Sequence, residues 1–560
     1  MYGRRSGPER RHGRPPRLLA GRRDDLRVLL GHGPCGRDQA RWHCLGRGRR
    51  GGWSRDGLVR QHEGDRGADR RCHLGGRLCG HGGLRPGGGI VSDSRVPFLI
   101  LGGGAAAFSA ATRANDLGVR TIMVNAGLPL GGTCVNVGCV PSKHLLMCAR
   151  AVHEARAPGA PGVRSSGVQV DYPAMKRARD AVVQGLRGSN YHDVLDALPN
   201  VELIEGHGRF VDPHAIEVNG RRIQADRMLV AVGSRARALD VPGGDLPGVL
   251  DNRSALELET LPDALVVVGG GPQGVEWAQA FARLGVQVTL LQSRDQLLRP
   301  LDADVAGVLA EALAEEGVDV RTSAKIRAIA QLEGGTLLVS WTDPTGDHEL
   351  HASHVLAAAG VAGNADGIDA HQAGLDLSGR GFLSVDDGMR TSVPHIFAAG
   401  DVIGRFNLEH AAAKEGQVAA TNALTDDDAK VDYRSMPAVV FSEPEAAWVG
   451  PTERDYMEAH GVCKCRAVRL DRVPRALATG TTRGIARITL DHETERIVGA
   501  QMVGPHAGEA IHEMVVAIRA RLTLDELLDT VHAFPTYSEA FKIAALAFRR
   551  DVSVMTCCIG

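Results

Sequence analysis

One local pattern occurs twice in this chain, and it restricts the fold more than any other feature. Phe98–Leu101 is a short apolar run of the kind buried in a parallel sheet. Gly102-Gly-Gly104-Ala-Ala-Ala107 follows at once, then a helix-compatible stretch to Leu117 and a second apolar run, Val119–Val124. About 165 residues later, Ala264–Val268 leads into Gly269-Gly-Gly271-Pro-Gln-Gly274, a helical stretch Val275–Leu284 and the run Val286–Leu291. Each reads as strand, turn, helix and strand, the crossover unit from which parallel sheets are built. Small residues at Gly102, Gly104 and Ala107, and at Gly269, Gly271 and Gly274, let a pyrophosphate approach the backbone. There the free N–H groups of a helix N-terminus hold it. A glycine-rich turn alone says little in a chain with 70 glycines. The strand–turn–helix context is what makes it a dinucleotide site, and two such sites predict a flavin fed by a nicotinamide.

The residues after each second strand refine the two sites. In the first unit the acidic residue expected to hold a ribose is replaced by Asn125, whose amide can still bond the hydroxyls. In the second, Gln292-Ser-Arg294-Asp-Gln-Leu-Leu-Arg299 offers Arg294 and Arg299 where a ribose carboxylate would stand. Arginines suit a 2′-phosphate, so NADPH is expected over NADH.

The formal net charge of −1 hides two dissimilar stretches. Residues 1–90 hold 21 arginines, no lysine, 22 glycines and 8 acidic residues, whereas the remaining 470 hold 44 basic and 58 acidic side chains. The N-terminal stretch lacks helical or strand periodicity and cannot build a packed core. We expect residues 1–95 to be a disordered or non-native extension. An Arg/Gly-rich arm for nucleic acid is the competing reading and is not favoured. Cys35, Cys44, Cys72 and Cys79 lack the Cys-x-x-Cys spacing of a metal site. No apolar run is long enough to span a membrane and no secretory signal is visible, so a cytoplasmic location is expected. Eleven cysteines, an odd number in a long chain, argue against a secreted disulfide scaffold.

The chemistry lies in Gly131-Gly-Thr-Cys134-Val-Asn-Val-Gly-Cys139-Val-Pro-Ser-Lys143. Cysteines five apart are not neighbours on a regular helix, so bringing them together needs distorted backbone, which Gly138 can provide. In a reducing compartment such a pair reads as catalytic. The pattern resembles the active site of the flavoprotein disulfide reductases, which include glutathione reductase, dihydrolipoamide dehydrogenase and mercuric reductase. The resemblance extends over essentially residues 96–560. It implies FAD and NADPH as cofactors, Cys139 as the charge-transfer thiolate against the flavin and Cys134 as the exchanging thiol. It also implies that Lys143 lies near the flavin and pairs with Glu276, that Gly132, Thr133 and Gly233 line the flavin site, and that Asp401 belongs to a second flavin motif, Ile396–Asp401.

Dithiol-handling members of that family use a histidine in a His-Pro-Thr motif as general base, oriented by a glutamate. This chain reads His532-Ala-Phe534-Pro-Thr-Tyr-Ser-Glu539, with phenylalanine at the histidine position and Glu539 left without its imidazole partner. His532 should point elsewhere on an extended segment. The chain ends Met555-Thr-Cys557-Cys558-Ile-Gly560. Adjacent thiols make a strained disulfide but can grip a soft metal. This combination resembles the mercuric-reductase branch, in which Tyr191 matches the tyrosine near the metal, Val473–Leu477 is a supporting match, and the Phe534 position is usually tyrosine. The branch implies NADPH-dependent reduction of Hg(II), delivered as a thiol adduct, to volatile Hg(0). Cys134 and Cys139 would hold the metal, with Cys557 and Cys558 of the other subunit passing it inward. A general disulfide or dihydrolipoamide reductase is the alternative.

The expected fold class is α/β: two Rossmann-like dinucleotide-binding domains and a C-terminal α+β dimerisation domain. The expected boundaries are a flavin domain at 96–251 and 372–432, an NADPH domain at 252–371, and a homodimerising domain at 433–560 that includes Met436–Phe441. Cys463 and Cys465, on one face of a strand over 462–468, and Cys148, on the helix after the redox motif, read as structural.

Overall fold

A computed structural model describes residues 94–554. The Arg/Gly-rich extension expected over 1–95 falls almost wholly outside the described residues, as do Cys557 and Cys558.

The first glycine unit forms as expected. Phe98, Leu99 and Ile100 are fully buried, as a strand sandwiched between helix layers must be. Strand Ser94–Leu101 lies between Thr121–Asn125 and Arg221–Val230, and the parallel core continues through Val201–Glu205 on one side and Ile396–Ala398 on the other. Antiparallel strands Ala215–Val218 and Arg209–Asp212 extend the sheet past Arg221–Val230. Helix Ala105–Asp116 buries an alanine face of Ala106, Ala107, Ala110, Ala111 and Ala114. Such small side chains let helix Glu409–Leu424 approach closely: a Cβ on Gly416 would sit 2.1 Å from the Ala106 carbonyl oxygen. Residues about 310 positions apart are thereby brought together.

The second glycine unit builds a five-stranded parallel sheet in the order Asp319–Arg321, Gln287–Leu291, Ala264–Val268, His354–Ala357, Val249–Leu250. Helices Pro272–Leu284 and Ala303–Glu315 pack in the core on one side. A three-stranded antiparallel sheet (Lys325–Gln331, Leu337–Asp343, Gly346–Ala352) packs in the core on the other, through Ile329, Val339 and Trp341.

The C-terminal part is a five-stranded antiparallel sheet, Pro437–Val440, Glu445–Val449, Ile497–Gly504, Ile485–Leu490 and Lys464–Arg469, packed with helices Ala507–Ala520 and Glu539–Leu546. Polar contacts made by Arg283, itself held by Glu316, and by Asp302 tie it to the second unit. Arg283 reaches Glu316 at 2.7 Å and Glu443 at 2.6 Å, and Gln501 donates to Asp302 at 2.7 Å. Among the described residues no helix is long and apolar enough to cross a membrane.

Candidate active site

The redox segment begins as a short helix, Gly132–Val137, and resumes as Cys139–Arg156, with the break at Gly138. A Cβ at Gly138 would lie 2.9 Å from the Thr133 carbonyl oxygen, so a side chain here would force the two helices apart. The break turns Cys134 toward Cys139, and both are free thiols. The Cys134 S–H donates to the Cys139 sulfur, which holds Cys139 below the ordinary thiol range; burial opposes this and the Lys143 ammonium adds to it. The same hydrogen bond, then burial, then the negative charge of Cys139 and Glu409 push Cys134 strongly upward. The pair is therefore asymmetric: Cys139 is the more acidic thiol and Cys134 the one that keeps its proton.

Lys143 follows Cys139 by four residues and shares its helix face. Its Nζ contacts the Glu276 carboxylate at 2.8 and 3.0 Å and lies 4.8 Å from the Phe441 ring centroid. Glu276 is buried on helix Pro272–Leu284 and also accepts the Phe441 backbone N–H at 3.0 Å. The redox helix, the second glycine unit and the C-terminal part thus meet at one ion pair. Tyr191 sits on a single π-helical turn, Gly188–His192, a local distortion frequent at functional sites. It packs edge-on against Phe108 at 4.8 Å. Burial, followed by electrostatic interaction with Cys134, Glu409 and Cys139, pushes its hydroxyl up to about 12. Glu409 thus acts electrostatically on both Cys134 and the tyrosine. No motif marks it in the sequence, since it is brought in only as the first residue of helix Glu409–Leu424.

Both glycine turns fit a bound pyrophosphate. Gly102, at φ +133°, approaches the Ala231 carbonyl so closely that a Cβ would lie 2.2 Å from it. Gly104 caps helix Ala105–Asp116 and faces Gly132, and Ala107 is buried beneath the turn. In the second turn a Cβ on Gly269 would stand 2.3 Å from the Ala358 oxygen, and one on Gly274 would stand 1.7 Å from the Gly269 oxygen. By contrast, a Cβ at Gly271, which caps helix Pro272–Leu284, would meet no atom within 4 Å. Open space therefore lies beside the start of this helix, leaving room for a pyrophosphate at its N-terminus. Gly233, at φ +72°, turns the chain after strand Arg221–Val230 and presents Ser234, whose hydroxyl donates to Asp401 at 2.9 Å. Burial raises the Asp401 carboxyl. Glu415, unnoticed in the sequence, braces this turn by accepting the Gly400 N–H and the Tyr433 hydroxyl, both at 2.8 Å.

One expectation needs revision. The Asn125 amide is not free for a ribose: it is buried and donates to the Leu128 oxygen at 3.1 Å and to Glu205 at 3.2 Å. Glu205 ends the neighbouring strand and is exposed, so tertiary pairing places a carboxylate beside the position where the second strand lacks one. Cys463 and Cys465 are joined to each other as a disulfide. Cys148 is only half-buried on its helix. In the second unit Gln292 is buried and bonded to the Gln296 oxygen at 3.0 Å, while Arg294 and Arg299 are exposed beyond it. In the C-terminal segment Phe534 is 56% exposed. His532 is held by Glu513 at 2.6 Å and by the Thr530 oxygen at 3.0 Å. Glu539 is buried and accepts the Thr536 N–H at 3.0 Å.

Residues 96–416 match the pyridine nucleotide-disulphide oxidoreductase family, and residues 436–545 match that family's dimerisation domain. The mercuric reductase of Streptomyces lividans is 37% identical over 477 residues, an alignment covering 84% of this chain and all of the relative. The mercuric reductase of Bacillus cereus is 35% identical over 83% of this chain and 73% of its own length. The dihydrolipoyl dehydrogenase of Haloferax volcanii is 36% identical over 81% of this chain and 97% of its own. Among solved structures, the Cu(II) complex of the HOCl-induced flavoprotein disulfide reductase RclA from Escherichia coli superposes with a TM-score of 0.72. It shares 26% identity over 82% of this chain and all of that one. The two pyrophosphate turns, the paired thiols and these likenesses agree on FAD and a pyridine nucleotide as cofactors and on a dimeric assembly. The chain belongs to the pyridine nucleotide-disulphide oxidoreductases.

Proposed function

We propose that this enzyme uses NADPH to reduce thiol-bound Hg(II) to Hg(0) in the cytoplasm, as a homodimer. The observation that carries the reading is the contrast between the two halves of the site. Cys139 is the more acidic of the two thiols, lowered by Cys134 and by Lys143, yet the position of the dithiol-handling base is the exposed phenylalanine Phe534. Phenylalanine cannot take a proton from a dithiol substrate, whereas a thiolate-bound soft metal needs none. The chain also ends in the adjacent thiols Cys557 and Cys558, and several of its relatives are mercuric reductases.

FAD, when bound, supplies the two-electron link between the nicotinamide and the cysteine pair. The residues of this chain do the rest. Gly102, Gly104, Ala107, Gly132, Thr133, Gly233 and Asp401 would hold the flavin, with Glu205 taking the ribose role first assigned to Asn125. Gly269, Gly271 and Gly274 would hold the nicotinamide pyrophosphate, and Arg294 and Arg299 would select a 2′-phosphate. Lys143, fixed by Glu276, keeps Cys139 ionised. Cys557 and Cys558 of the partner subunit take Hg(II) from small thiols by stepwise exchange and pass it to Cys134 and Cys139, beside Tyr191. Glu539 then supports the segment around Phe534 rather than a base. The reaction balances as Hg(II) and NADPH giving Hg(0), NADP+ and one proton. In this reading 96–251 and 372–432 form the flavin domain, 252–371 the NADPH domain and 433–560 the dimerisation domain.

The test is NADPH oxidation by the purified protein with and without Hg(II) in excess thiol, with volatile mercury followed in parallel. Mercury-dependent oxidation with matching mercury loss is expected. Cys557→Ala/Cys558→Ala should abolish turnover of the thiol adduct while leaving the flavin spectrum intact. Rapid turnover of a disulfide or of dihydrolipoamide without mercury would instead establish a general disulfide or dihydrolipoamide oxidoreductase.

A further inference from the structure

Away from the active site, three ligating groups converge on the outer strand of the C-terminal sheet. Strand Lys464–Arg469 pairs only with Ile485–Leu490 in that sheet. Cys465 stands opposite Thr489 and lies 3.7 Å from its hydroxyl. Cys463, two positions earlier, projects to the same face, and the two Cα atoms are 5.9 Å apart. Helix Glu453–His460 brings Glu453 over this face from its first turn. The two sulfurs and a Glu453 carboxylate oxygen all lie within 4.8 Å of one another, and all three residues are half-buried, within reach of a small solute.

Charge around the cluster favours a cation. Arg487 is the nearby counter-charge, but it already serves Asp302 at 3.1 Å and Asp304 at 2.6 Å as well as Glu453 at 2.7 Å. Three carboxylates share one guanidinium before either thiol ionises. Two thiolates and a carboxylate form a donor set that prefers thiophilic ions over Mg(II) or Ca(II). Lys464 points to the other face, toward Glu495 at 3.2 Å, and does not neutralise the cluster.

We propose that Cys463, Cys465 and Glu453 form a second, redox-gated site for a thiophilic divalent cation, separate from the Cys134–Cys139 pair. As the disulfide the site is closed. Two small-molecule thiols open it by exchange: the Cys463–Cys465 bond breaks, each sulfur gains a proton, and the small thiols leave as their own disulfide. Binding of M(II) then releases the two thiol protons and leaves a bis-thiolate with Glu453 as third ligand. The proposal does not depend on mercury being the substrate of the active site.

Cadmium(II) is a suitable probe, because thiolate coordination gives it ultraviolet charge-transfer absorption. Holoenzyme as isolated and after reduction by dithiothreitol and anaerobic desalting would be titrated in parallel with Cys463→Ser/Cys465→Ser. The reduced parent should retain one cadmium more per subunit than the reduced double variant, whereas the oxidised parent and the oxidised double variant should retain equal amounts. Glu453→Gln should weaken that ion by at least about tenfold. Alkylation of the parent, read by peptide mass, needs no variant: Cys463 and Cys465 should react after reduction and be protected by one equivalent of cadmium. Equal cadmium counts in the reduced parent and a reduced, folded, flavin-loaded double variant, or alkylation of these two cysteines unaffected by cadmium, would overturn the proposal.

Discussion

Replacing Lys143 by methionine tests the ion pair on which the active site converges. Glu276 is 5% exposed and would keep only the Phe441 N–H. Removing one member of a buried pair costs about 3–5 kcal/mol, because the other charge stays buried. The surviving N–H bond, and a Lys143 side chain already 33% exposed, place this case near the lower end, about 3 kcal/mol. At an unfolding entropy of roughly 2 cal/mol/K per residue, each kcal/mol moves the Tm of a chain this long by about 1 °C. Lys143→Met should therefore melt about 3 °C early, read by flavin release at fixed protein concentration. Lys143→Met/Glu276→Leu should recover most of that loss, since no unpaired charge remains. The thiols give a second readout with a sign. Lys143 lowers Cys139 and Glu276 raises it. Lys143→Met should shift the pH profile of Cys139 alkylation upward and Glu276→Gln should shift it downward. Two shifts of the same sign, or a double variant as unstable as the sum of the singles, would refute the reasoning.

Gly274→Ala should cripple NADPH-driven flavin reduction, measured by stopped flow, while leaving FAD bound. Its Cβ would lie 1.7 Å from the Gly269 oxygen, and such overpacking costs about 1–3 kcal/mol or more. Phe534→His should restore dihydrolipoamide or disulfide turnover, read as NAD(P)H exchange without mercury, because it returns an imidazole to the base position. The His532–Glu513 contact carries a pH signature. Glu513 holds the imidazolium pKa above its ordinary value, so its stabilisation is fully present below about pH 6.5 and is lost as pH rises through the raised value. Glu513→Gln should thus lower the Tm at about pH 6 and matter little at about pH 9; a deficit constant with pH would contradict this.

What could be read from the chain alone was what short-range physics dictates. The glycine turns, the helices they open, the Cys134–Gly138–Cys139 break and the four-residue step to Lys143 depend on neighbours a few positions away. Their steric and hydrogen-bonding demands exclude most other residues, so the residues present are informative. The missing base was legible too, because the chemistry of Phe534 does not depend on where it sits. Contacts across long stretches of sequence were decided by the tertiary structure. Glu276 matched a family motif, but only packing of helix Pro272–Leu284 against the redox helix places it on Lys143, 133 residues away. Glu409 is brought near enough to act electrostatically on Cys134 because small faces let two helices touch. Glu205 stands beside Asn125, where the expected ribose carboxylate is missing, because adjacent parallel strands end level. Cys463 and Cys465 looked structural on a strand face, and they became a candidate site once helix Glu453–His460 carried a carboxylate over them. Each such group is one charged or polar side chain among many of its kind. Burial and approach, which a linear pattern does not encode, single it out.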